Sequence, residues 1–249
     1  MCNSPFWIQY PKLFMLNWQH APPAHQTLPQ RVAEILRATI LAGKLVGGQT
    51  LRQEELAAQL GVSRIPVREA LRQLEAEGFV ELHPHRGATV ATLTPSEALE
   101  IYDIRAALEA QALRLAVPNL TKATLRSAED LLDKIDGETG MARWAELNWQ
   151  FHATLYAAAQ RPRLLEMIRQ LHDNVGRYLR SAIALPAHTR QSQKQHRALL
   201  AACKRRDAPA AVAVLEDHLR TTSSKLAAQL EARNGPHQPK PQRKPKRKP

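Results

Sequence analysis

Aromatic residues make up only 5% of this 249-residue chain, and alanine and leucine dominate in their place, which favours helices over sheets. Cysteine is nearly absent. Cys2 and Cys203 lie far apart and form no metal or redox motif, a pattern that suits unpaired thiols in a reducing cytoplasm. No unbroken apolar run is long enough to cross a membrane, and the N-terminus lacks the basic start of a signal peptide. A cytoplasmic chain with no membrane partner is therefore expected. There is no His-Glu-x-x-His pattern with a neighbouring general base, so no catalytic residue is assigned and an enzyme is not expected. Acids are missing from residues 236–249, which carry six Lys/Arg alternating with proline. That tail supplies half of the net charge of +12.

What remains is more informative. Residues 27–94 hold eight basic and seven acidic side chains, so a nucleic-acid partner must be met by charge placed on one face. Residues 53–74 read as two short helices joined at Gly61-Val62-Ser63. Gly61 stops the first helix, Ser63 offers a hydroxyl to start the second, and Pro66 falls in its first turn. Val67, Ala70, Leu71 and Leu74 recur at core spacing. Arg64, Arg68 and Arg72 recur every four residues on the opposite side. Such a helix suits the major groove, since arginine binds both phosphates and guanine edges. A solvated basic face on an ordinary helical hairpin is the other reading. Phe79/Val80 and Thr89/Val90 favour strands around a Pro/Gly-containing turn, with Arg86-Gly87 near its tip. The expected fold is mostly α. A winged helix-turn-helix of three helices and a two-stranded wing (27–94) precedes an all-α antiparallel bundle of six or seven helices (95–232).

Thr94-Pro95-Ser96-Glu97 is a capping box that opens the second unit directly after the first. Apolar periodicity then predicts helices over 97–117, 124–135, 142–160, 162–183, 189–205 and 209–230, the last capped by Asp207. Asn148 and His152 share one helical face beside Phe151 and Leu155. His196 and His218 fall on the last two helices. Three hydrogen-bonded core histidines are one account. A divalent metal site is the other, with Zn²⁺ the first choice and Ni²⁺ or a similar ion next. His83, His85, His172 and His188 have no partner at useful spacing.

The run Leu51-Arg52-Gln53-Glu54-Glu55-Leu56-Ala57, Leu60-Gly61-Val62-Ser63-Arg64-Ile65-Pro66-Val67-Arg68-Glu69-Ala70-Leu71 and Leu74-Glu75-Ala76-Glu77-Gly78 resembles the DNA-binding domain of GntR-family bacterial regulators. Residues 95–230 resemble the FCD effector domain of the FadR-type branch. The marks are Tyr102-Asp103-Ile104-Arg105-Ala106-Ala107-Leu108-Glu109, Asn148-Trp149-Gln150-Phe151-His152, Gln195-His196-Arg197-Ala198-Leu199-Leu200 and Glu216-Asp217-His218-Leu219.

The resemblance implies a transcription regulator, expected to be a repressor relieved by ligand. Operator contacts are expected from Arg52, Ser63, Arg64, Pro66, Arg68, Arg72, Arg86 and Gly87. Glu54 replaces an arginine that touches the operator in many relatives, so no contact is carried onto it. Many FCD domains hold a divalent metal on an Asp and three histidines. Here Asn148, His152, His196 and His218 match, with an uncharged amide in place of the Asp. An open position on that metal suits a small carboxylate effector, with Tyr102 and Arg105 beside it. A structural ion pair between Arg105 and Glu109 is the alternative for that arginine. One recognition helix reads few base pairs, so a homodimer on an inverted repeat of double-stranded DNA is expected. Residues 1–26 are expected to form a loose arm, with Met15 a possible true start, and 233–249 a disordered basic tail. Two rival functions are a metalloenzyme carrying a winged helix and a DNA-coating architectural protein.

Overall fold

Thr27 opens α1 (Leu28–Leu41) with a reciprocal cap: its hydroxyl faces the Gln30 amide, and the Gln30 side chain accepts from the Thr27 amide. The computed structural model describes residues 26–83, 87–182 and 186–234. The expectations for the arm up to residue 25, for Pro84, His85 and Arg86, for the His188 side chain and for the tail from residue 235 fall outside the described residues; Arg233 and Asn234, expected in the tail, end the last helix.

After α1 come β1 (Thr50–Leu51), α2 (Gln53–Leu60), α3 (Arg64–Ala76), β2 (Val80–His83) and β3 (Gly87–Val90). Gly61 makes the α2–α3 turn at φ +64°, its N–H reaching the Ala57 and Ala58 carbonyls. A Cβ at this position would meet nothing within 4 Å. Gly61→Ala should therefore cost only left-handed strain, about 1 kcal/mol, and lower the melting temperature by a few degrees. A much larger drop in a thermal melt would reveal a packing role that the geometry does not contain.

The wing is larger than expected. Three antiparallel strands lie in the order β1-β3-β2, with β1 pairing Thr50 to Thr89 and Leu51 to Ala88. A two-residue strand is too short to show alternation in sequence. Gly87 starts β3 at φ +82°, where an added Cβ would sit 3.3 Å from the Leu51 carbonyl oxygen. Val32, Leu36 and Ile40 of α1, Leu56 and Leu60 of α2, and Val67, Leu71 and Leu74 of α3 close on Val80, Ala88 and Val90 as one core. Arg37 binds Glu77 through two hydrogen bonds of 2.8 and 2.7 Å and ties α1 to the end of α3.

The Thr94 cap is formed as expected, with Glu97 reaching back to the Thr94 amide at 2.8 Å. It starts α4 (Pro95–Ala116), followed by one 3-10 turn (Val117–Asn119), α5 (Lys122–Asp136), α6 (Met141–Ala157), α7 (Pro162–Ala182), α8 (Pro186–Lys204) and α9 (Ala208–Asn234). The Asp207 side chain accepts from the Ala210 amide at the start of α9. α9 packs along α4, α5 against α6 and α8, and α8 against α9. Leu113, Leu132, Phe151, Leu155, Tyr156 and Leu215 are the heart of this second core. Cys203 lies within it, and burial pushes its thiol up to about 11, where it is inert. No described helix is long and apolar enough to cross a membrane.

The two cores meet through α7. The Tyr178 hydroxyl donates to the Ala91 carbonyl at 2.9 Å. A Cβ on Gly78, which has φ +76°, would stand 3.2 Å from the Asn174 amide nitrogen.

Candidate nucleic-acid face and candidate metal centre

On α3, Val67, Ala70, Leu71 and Leu74 are fully buried, and Arg64, Ile65, Arg68, Glu69 and Arg72 are exposed. The three arginines therefore stand in file on one open face, as their spacing predicts. Four details differ from the sequence expectation. Arg64 donates to Glu54 Oε1 at 2.8 Å, a pair made across the turn by residues on different helices. Arg52 reaches Glu55 at 3.3 Å. Pro66 is buried in the first turn and is turned away from the face, so it starts the helix instead of presenting a contact. Ser63 caps α3 with its backbone only, because its hydroxyl makes no cap hydrogen bond. Ile65, at 59% exposure, adds an apolar side chain to a charged face, and no sequence signal had singled it out.

In the second core, His152 of α6, His196 of α8 and His218 of α9 come together. One ligand nitrogen from each lies within 4.8 Å of the others, and all three residues are buried. The hydrogen bonds around two of them assign their protons. Gln193 donates through Nε2 to the Leu132 carbonyl at 2.8 Å, so its oxygen faces His196 Nδ1 at 3.1 Å. Gln195 donates to Asp217 at 2.8 Å, so its oxygen faces His218 Nδ1 at 3.1 Å. An amide oxygen only accepts, so both Nδ1 atoms carry the hydrogen and both Nε2 atoms carry a lone pair.

His152 Nε2 stands 3.3 Å from His196 Nε2. Two nitrogens bound to one tetrahedral zinc at about 2.0–2.1 Å would be about 3.3–3.4 Å apart. The Ser192 hydroxyl lies 3.4 Å from the same His196 nitrogen. Burial, then the neighbouring His196 and His218, hold His152 well below the ordinary imidazole range, which keeps it a neutral ligand. The Asn148 Oδ1 atom is buried with no hydrogen-bond partner. An orphaned carbonyl oxygen one helical turn before His152, together with the cluster of three imidazoles, fits a borderline-soft divalent cation.

Arg105 is not the open clamp that a carboxylate anchor requires. It is buried, and its Nε donates to Glu109 Oε1 at 2.8 Å. Burial is the largest influence and works to lower its pKa, but Glu109, Tyr102 and Tyr156 together outweigh it and raise it. Its guanidinium also lies 4.6 Å from the Tyr102 ring centroid. Glu109 Oε2 accepts from the Tyr156 hydroxyl at 2.6 Å, and the Tyr156 hydroxyl oxygen lies 3.1 Å from His152 Nδ1. Tyr102 presents a buried hydroxyl without a partner.

His172 belongs to this region too, against the sequence expectation. Its ring lies 4.8 Å from that of Trp149, its Nδ1 is buried without a hydrogen bond, and burial lowers its pKa. It sits four residues after Ile168 and three before Val175, both fully buried. That spacing was the available signal.

Comparison with known proteins agrees with this architecture. Residues 28–90 match the family model described as bacterial regulatory proteins, gntR family, and residues 100–221 match the FCD domain. The HTH-type transcriptional regulator McbR of Escherichia coli is 36% identical over 189 residues, covering 74% of this chain and 85% of its own. The probable D-xylose utilization operon transcriptional repressor of Paenarthrobacter nicotinovorans is 36% identical over 142 residues, covering 56% and 62%. The solved structure of E. coli McbR/YncC superposes with a TM-score of 0.71 at 31% identity, covering 83% of this chain and all of that one. These curated relatives are named as regulators of transcription. The winged helix, the helical bundle behind it and the two matched domains make this chain a member of the GntR family of bacterial regulatory proteins with an FCD domain, and thus a DNA-binding transcription regulator.

Proposed function

We propose that the chain is a cytoplasmic, homodimeric repressor whose bundle binds a divalent metal, Zn²⁺ first, together with a small carboxylic acid. Ligand binding favours one relative pose of the two winged helices, and so releases an inverted-repeat operator. Arg64, Arg68 and Arg72, with Ser63 at the helix N-terminus and Arg52, Arg86 and Gly87 at its flanks, meet the DNA. His152, His196 and His218 hold the metal, with Asn148 Oδ1 as a further neutral donor. The bound metal supplies a positive centre to which a carboxylate can attach, and Tyr102 offers it a hydroxyl. The single observation that carries this reading is the approach of three buried histidine nitrogens at ligand distance, to which the orphaned Asn148 oxygen, one turn earlier on α6, adds a neutral donor.

The test is a thermal-shift screen of chelator-treated protein against dicarboxylates and sugar acids, with and without Zn²⁺. A true effector at about a hundred times its Kd should add ~2.7 kcal/mol, a rise of several degrees, only when metal is present. The same acid should release a promoter fragment in a gel shift. Acid shifts that ignore the chelator, or binding that prefers no promoter fragment over bulk genomic DNA, would remove the proposal.

A further inference from the structure

The geometry points to Glu109 as a positioning residue: from α4 it sets the tautomer of His152 on α6 and turns the His152 Nε2 lone pair toward His196 and His218. The inference rests on the reading that these histidines hold a metal, but its first readout needs no metal.

Four buried groups form one chain: Arg105, Glu109, Tyr156 and His152. Arg105 and Glu109 are one helical turn apart on α4, as Tyr156 and His152 are on α6. Arginine has only donors, and a carboxylate only accepts. Glu109 therefore takes a hydrogen from Arg105 Nε on one oxygen and the Tyr156 phenol hydrogen on the other. With its one hydrogen committed, the Tyr156 oxygen can only accept. Its remaining neighbour is His152 Nδ1 at 3.1 Å. The opposite tautomer would set the Nδ1 lone pair against the Tyr156 oxygen at 3.1 Å. The Nδ1–H tautomer instead leaves the Nε2 atoms of His152 and His196 both bare at 3.3 Å, a gap into which the Ser192 hydroxyl, 3.4 Å from His196 Nε2, can donate and which a cation would fill. The buried Glu109–Tyr156 pair therefore favours the hydrogen on Nδ1 of His152.

This explains why an acid, and not merely a side chain of that size, stands at position 109. In Glu109→Gln the amide is nearly isosteric, but Arg105 can face only its oxygen. The NH₂ group then points at Tyr156 and donates to the phenol oxygen. The Tyr156 hydrogen is freed to turn toward His152 Nδ1, and the imidazole hydrogen moves to Nε2, where it blocks the ligand position. His196 and His218 are held by Gln193 and Gln195 and should not change.

The experiment uses the full chain with ¹⁵N-labelled histidine, and reads tautomers from long-range ¹⁵N–¹H spectra of metal-free protein. Wild type should show His152 with its hydrogen on Nδ1, and Glu109→Gln should show it on Nε2. Zn²⁺ affinity, measured by competition with a chromophoric chelator, should fall by about 10- to 100-fold. Tyr156→Phe keeps the Arg105–Glu109 pair, guards against a folding defect in the first variant, and should also lose the Nδ1–H preference and zinc affinity. His152 remaining in the Nδ1–H form in both variants would overturn the assignment, as would zinc affinity within about twofold of wild type in both. If wild type binds no Zn²⁺, the metal reading fails, while the tautomer shift still reports on Glu109.

Discussion

Arg68→Ala should weaken binding to a promoter fragment by more than about thirtyfold, while the fold and the acid-induced thermal shift stay as in wild type. Arg68 stands one turn after Arg64 on the open side of α3, and among the described residues it makes no ion pair. Its whole fork is therefore available to a guanine edge or a phosphate. One such contact contributes about 1–3 kcal/mol. The proposed dimer on an inverted repeat would make it twice, so the expected loss is about 2–6 kcal/mol, or roughly thirtyfold to more than ten-thousandfold. Exposed side chains away from caps and pairs change stability by only about 0.5 kcal/mol, so the melting temperature should hardly move. A gel-shift titration with unchanged affinity would remove Arg68 from the DNA face.

The second large effect is expected from His152→Ala, which should remove bound metal and the response to acid together. It deletes one of three imidazoles and the nitrogen that faces His196 at 3.3 Å. Losing an outer-shell partner costs metal sites about 10- to 100-fold in affinity, and a direct ligand should cost more. Metal analysis after dialysis should show the variant empty beside a loaded wild type, with no acid-dependent rise in melting temperature. Equal metal content in the two proteins would show that the cluster is an ordinary hydrogen-bonded core.

Much of this molecule was legible from its residues because its signals are local. The Thr94 capping box, the Gly61 turn and the apolar periodicity of α1, α3 and α4–α9 each declare themselves within one or two helical turns. What escaped depends on contacts between elements. β1 exists only because Thr50 and Leu51 find β3, some forty residues away. The Glu54–Arg64 pair needs the turn to fold before it can form. His152, His196 and His218 were found as candidates by residue type, yet their proton positions depend on Gln193, Gln195 and Tyr156 side chains whose orientation no spacing rule gives. His172 was missed for a different reason. It was weighed against the other histidines along the chain, when its register with Ile168 and Val175 already placed it inward. For Arg105 the sequence leaves two roles open, a carboxylate anchor and an ion pair with Glu109, and spacing alone does not choose between them; the folded chain forms the pair.

The helix that joins the two halves has a mechanical meaning. His172 packs against Trp149 and Tyr178 holds the Ala91 carbonyl, six positions along α7 and about 9 Å apart at 1.5 Å per residue. A hydrogen-bonded rod of that length barely compresses. A nudge of a few tenths of an ångström beside Trp149 would therefore arrive at the base of the wing almost undiminished, as a lever delivers the motion of its short arm, and in the proposed dimer the distance between the two reading heads would follow.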